Sequence, residues 1–96
     1  MRLLTPVLLA FVLALVLAAS ASAAVTKYTF GNVTFSDGTT GIIYAGVKVT
    51  NRSTLTACNY HSTSGASLGY YADAFASDDP ALVEQFCLDN FDERNT

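Results

Sequence analysis

The sequence has no tryptophan, a single histidine (His61) and a single methionine, which is the first residue. Two prolines and two cysteines complete the list of scarce residues in 96 positions. Each shortage excludes something. One histidine and two distant cysteines do not supply the four ligands of a structural zinc centre. The absence of tryptophan weakens a carbohydrate-stacking reading. Positive charge is scarce as well, with five Lys and Arg against eight Asp and Glu and a formal net charge of −3. That balance offers no patch to neutralise a run of phosphates, so nucleic acid and anionic lipid surfaces are not expected as partners. Nucleotide and calcium loops need further glycines or carboxylates at fixed spacing. The stretch SDGTTG, Ser36 to Gly41, lacks both. No cofactor or metal is expected.

What is abundant is apolar sequence at the start. Met1-Arg2 gives a short positive tip, Leu3 to Ala19 is almost unbroken Leu, Val, Ala and Phe, and Ala21-Ser22-Ala23 closes it. These are the three parts of a secretory signal peptide, removed before the mature protein acts. A bilayer-spanning helix needs about 20 apolar residues and usually a charged stop beyond them. Here Thr5 and Pro6 interrupt the run, and the first downstream cation is Lys27. The division expected is therefore residues 1–23 as a cleaved signal and 24–96 as one small secreted domain, extracellular and without membrane attachment after cleavage.

A domain of that size buries a modest share of its surface and is marginal unaided. Cys58 and Cys87 both lie in it, and two cysteines in an oxidising compartment allow one pairing. Closing that loop is worth about 3–4 kcal/mol in the chain-entropy account. From residue 24 onward four cations face eight anions, and seven of those anions follow position 72. A solvated helix face accounts for them.

Val25 to Phe35 is rich in aromatic and β-branched residues and reads as a strand. Tyr28 and Phe30 share one parity, Val33 and Phe35 the other. A bulge at Gly31-Asn32 would return all four to one side. Asp37-Gly38 is a hairpin turn signal. Ile42 to Thr50 alternates clearly, with Ile43, Ala45, Val47 and Val49 on the apolar face. Asn51-Arg52-Ser53 is a turn, and Thr54 to Tyr60 is a third strand carrying Cys58. His61 to Gly69 reads as a loop, and Tyr70 to Phe75 as a fourth strand. Asp79 as cap and Pro80 at the first helical position open a helix, expected to run to Asp92. Leu82, Val83, Phe86, Cys87 and Phe91 are expected on its buried face, from which Cys87 reaches Cys58. The fold class is α+β: an antiparallel sheet of three to four strands, one C-terminal amphipathic helix packed on it, and one disulfide. Phe91 to Thr96 ends with little punctuation, as in a chain that continues.

The order Tyr28-x-Phe30, Val33-x-Phe35, Tyr44-x-x-Val47-Lys48-Val49-Thr50-Asn51, then Cys58, resembles small secreted fungal proteins of the effector-like and allergen-like kind, built on a compact β-barrel or sandwich. The resemblance covers about half of the region after the signal. Allergen-like members usually carry more cysteines than this chain. What the resemblance implies is a secreted binding protein rather than an enzyme.

Asn32-Val33-Thr34 and Asn51-Arg52-Ser53 are N-glycosylation acceptors in a eukaryotic secretory route, which makes Asn32 and Asn51 candidate modification sites. His61 with Ser62, Ser64 or Asp73 has the residue types of a nucleophile system, but sequence order cannot supply a triad's geometry. Asp78 and Asp79, adjacent before Pro80, read as helix caps rather than paired catalytic carboxylates. Tyr44, Tyr60, Tyr70 and Tyr71 are the candidate binding residues, since tyrosine offers rigid area with a polar tip, although half-burial in the core is the plainer account of most of them. The function expected is extracellular binding of a protein or glycan, without catalysis. A small secreted hydrolase is the second reading, and a wall or surface structural component the third.

Overall fold

The computed structural model describes residues 24–96, so the segment read as a signal peptide, residues 1–23, lies outside the described residues. Four strands, β1 (Ala24–Thr34), β2 (Thr40–Val49), β3 (Thr54–Ser62) and β4 (Ser67–Ala74), precede helix α1 (Pro80–Asp89) and a 3₁₀ turn (Phe91–Glu93). The strands form one antiparallel sheet in chain order, β1-β2-β3-β4. This is the α+β arrangement expected from the sequence, with the sheet at four strands.

The bulge is where the sequence places it. Tyr28 pairs with Ala45 and Phe30 with Ile43, then the register shifts and Val33 meets Gly41. Asn32 takes φ 55°, the left-handed region that Asn tolerates better than most residues. One extra residue thereby keeps Tyr28, Phe30, Val33 and Phe35 on the same side. Val33 and Phe35 are buried, while Tyr28 and Phe30 pack against the core. The β1–β2 turn closes with the Phe35 amide donating to the Thr39 carbonyl at 2.8 Å. Asp37 accepts from the Thr39 hydroxyl at 2.6 Å and amide at 3.0 Å. These bonds, the hydroxyl's first, hold the Asp37 carboxyl below its ordinary pKa.

The stretch read as a loop from His61 to Gly69 is mostly strand. The Ser62 amide donates to the Ala66 carbonyl at 2.8 Å, confining the connection to residues 63–66. Ser and Gly disguise the start of β4 because their propensity for strands is low, and pairing with β3 overrides it.

The core lies between one sheet face and the helix layer. Ile43, Val47, Cys58, Tyr60, Val83 and Cys87 are fully buried, and Phe91 nearly so. Thr56 is the buried polar exception, its hydroxyl without a partner. Phe35 stacks on Phe91 with centroids 4.2 Å apart. The Cys58–Cys87 disulfide ties β3 to α1, with Cα atoms 5.7 Å apart.

Helix α1 starts as expected. The Asp79 carboxylate accepts from the Ala81 and Leu82 amides, and Pro80 follows the cap. It ends at Asp89, three residues early, because Asn90 leaves helical geometry and turns its side-chain amide back onto the Phe86 carbonyl at 2.8 Å. Leu82 is not on the buried face: it is 52% exposed, while Val83 and Cys87 face the sheet. After the 3₁₀ turn the chain reaches the outer edge of β4. There Tyr70 and Asn95 exchange backbone hydrogen bonds of 2.9 and 2.7 Å. Arg94 adds a bond to the Leu68 carbonyl at 2.8 Å while its guanidinium covers the Phe91 ring. Gly69 makes room for this tail, since a Cβ there would overlap the Asn95 carbonyl oxygen.

Candidate binding site

Alternation along the strands decides what the opposite sheet face carries. Read across β1 to β4, one row is Val25, Lys48, Leu55, Ala74, the next Lys27, Gly46, Ala57, Ala72, and the third Thr29, Tyr44, Asn59, Tyr70. The helix packs on the other face. Among the described residues, the large apolar side chains left most open are concentrated on this uncovered face: Val25, Tyr44, Leu55 and Tyr70.

A groove of about 340 Å³ runs over its middle, lined by Val25, Lys27, Tyr28, Thr29, Tyr44, Ala45, Gly46, Ala57 and Asn59. Small residues on neighbouring strands make the depression, because Gly46 and Ala57 leave space between the longer Lys27, Tyr44 and Asn59. The rim is held by contacts within the sheet. Asn59 donates its side-chain amide to the Tyr44 carbonyl at 3.3 Å, and the Tyr44 ring meets His61 edge to face at 5.0 Å. A His61 ring nitrogen lies 3.2 Å from the Gly65 carbonyl.

The four tyrosines singled out in the sequence do not form one cluster. Tyr44 and Tyr70 stand on the open face, 44% and 54% exposed. Tyr60 is a correction: it is fully buried, its hydroxyl donates to the Cys87 carbonyl at 2.6 Å, and it presents nothing to a partner. Two residues beyond Cys58, it shares that cysteine's inward parity. Tyr71 also belongs to the covered side. Its ring lies 5.9 Å from Phe86 and its hydroxyl donates to Asp73 at 3.2 Å. Burial first, then that hydrogen bond, raises its pKa.

His61 and Asp73 lie on opposite faces, so the sheet does not bring these two together. The Ser62 and Ser64 hydroxyls are 2.8 Å from each other. Among the described residues, no three or more His, Cys, Asp or Glu side chains converge to hold a metal. Asn32 is exposed at the bulge and Asn51 in the β2–β3 turn.

Lys27, Thr29, Gly46, Ala57 and Asn59 were not singled out by sequence reasoning. A signal was available. Gly46 falls mid-strand on the mixed face of Ile42 to Thr50, and pairing across the Asp37-Gly38 turn sets Lys27 opposite it. Comparison with family models, with curated proteins and with solved structures finds no match to this chain.

Proposed function

We propose that this is a secreted, disulfide-stapled protein that acts by binding an extracellular partner through the open face of its sheet. The observation that carries this reading is the pair Tyr44 and Tyr70, exposed in one cross-strand row beside a groove on the face the helix leaves uncovered. Aromatic side chains held by a rigid sheet offer contact area at little entropic cost, and such residues dominate binding energy at interfaces. The signal-like start supports delivery outside the cell, where the disulfide is stable. In a eukaryotic host, Asn32 at the bulge and Asn51 in the β2–β3 turn are the exposed sites that would carry glycans.

The test is capture of a partner from extracellular material. Tyr44→Ala with Tyr70→Ala is expected to lose at least tenfold in affinity, with thermal unfolding unchanged, whereas His61→Ala retains the partner. Loss on His61→Ala together with loss of a hydrolytic activity would overturn the reading in favour of an enzyme. Intact mass of the secreted protein, before and after glycosidase, checks cleavage near Ala24 and the use of the two Asn sites.

A further inference from the structure

Charge is segregated across the sheet. The described residues hold four cations and eight anions, yet the open face carries Lys27 and Lys48 and no carboxylate. Asp37 sits in the β1–β2 turn and Asp73 on the covered face, and the other six fall between Asp78 and Glu93, in the segment that follows β4. An acidic protein thus shows one locally positive face, and Lys27 lines its groove. At physiological salt, charges are screened over about 8 Å, so the carboxylates behind the sheet weaken this local field less than the net charge suggests.

Gly46 is the second observation. Glycine within a strand is destabilising relative to alanine, and it commonly marks a place where another molecule approaches closely. A Cβ at Gly46 would meet nothing within 4 Å, and its φ is not in the left-handed region. Neither packing nor backbone geometry requires glycine there. What its absent side chain provides is the floor of the groove.

Resting on the binding reading above, we infer that the groove takes an anionic polysaccharide, a chain of sugar rings bearing carboxylates. The occupant follows from the chemistry of the groove, lined by Lys27, Thr29, Tyr44 and Asn59, and of Lys48 and Tyr70 on the same face beside it. Tyr44 and Tyr70 lie in one row two strands apart, a separation of about 10 Å, which suits alternate rings of an extended chain stacking their C–H faces on the phenols. Thr29 and Asn59, exposed in that row, are placed to meet hydroxyls. Lys27 and Lys48 meet the carboxylates.

Binding of oligogalacturonate by the chain purified through a secretory route tests this, with the methyl-esterified oligomer as the uncharged control. The free acid is expected to bind at least tenfold more tightly than the ester, and raised salt is expected to weaken it. Lys27→Gln with Lys48→Gln should remove that preference. Gly46→Leu should abolish binding of both forms while leaving the unfolding transition in place. Equal affinity for acid and ester, or binding that survives Gly46→Leu in a folded protein, overturns the inference. If neither oligomer binds while Tyr44→Ala with Tyr70→Ala still releases a captured extracellular protein, the acidic-glycan assignment falls and the binding face stands. If that double variant also changes nothing, both fall.

Discussion

The Tyr60 hydroxyl ties β3 to the C-terminal end of α1 through the Cys87 carbonyl, one of the helix-end acceptors that lacks an intrahelical donor. Its ring meets Phe35 and Phe91 edge-on at 5.8 and 5.2 Å. Burial pushes its pKa from 10.0 up to about 12. The folded state therefore holds the phenol proton where the unfolded chain releases it. This contribution to stability is complete below pH 10 and is lost as pH rises through about 12. Tyr60→Phe is expected to lower stability near neutral pH by about 1–2 kcal/mol, because it leaves a buried carbonyl unpaired. In urea titrations at a series of pH values, the same variant should show a shallower decline above pH 10 than the parent. Tyr44→Phe, one strand over on the opposite face, leaves no buried carbonyl unpaired and should not change stability near neutral pH. The distinction was legible in principle: Cys58 must face the helix to reach Cys87, and Tyr60 two residues on faces the same way. Grouping tyrosines by type rather than by parity hid it.

At the level of elements, β1 depends on a residue that breaks its regularity. Asn32 in the left-handed region absorbs the register shift that keeps Val33 and Phe35 in the core. Asn32→Gly should leave the unfolding midpoint within a few tenths of a kcal/mol, whereas Asn32→Val is expected to destabilise by about 1–2 kcal/mol because a β-branched residue resists that backbone conformation. Equal midpoints for the two variants in unglycosylated protein would contradict this account. The bulge, the Asp37-Gly38 turn and the Asp79-Pro80 helix start could all be read from sequence, because each rests on local backbone chemistry. The start of β4 could not, since it is set by pairing with β3. Leu82 was misplaced for a related reason: spacing gives its angle on the helix but not how far the sheet extends beneath the first turn. The groove fell between these cases, visible only once Lys27, Gly46 and Ala57 are set side by side across three strands.

At the scale of the molecule, one covalent link joins the two layers, and it closes a separation of 29 residues. Replacing Cys58 and Cys87 with Ala is expected to cost about 3 kcal/mol, read as a lower urea midpoint, which is a large share of what so small a domain holds. An unchanged midpoint would mean the core alone suffices. The tail beside β4 bears on a different property. Asn95 and Arg94 occupy the outward backbone groups of Tyr70 and the Leu68 carbonyl, while among the described residues no strand pairs with the outer edge of β1. An intruding strand would have to evict the tail to join at β4, but could add directly at β1. Edge-to-edge association is thus biased: a second copy is expected to add more readily along β1 than at the Leu68–Tyr70 stretch of β4 that the tail occupies.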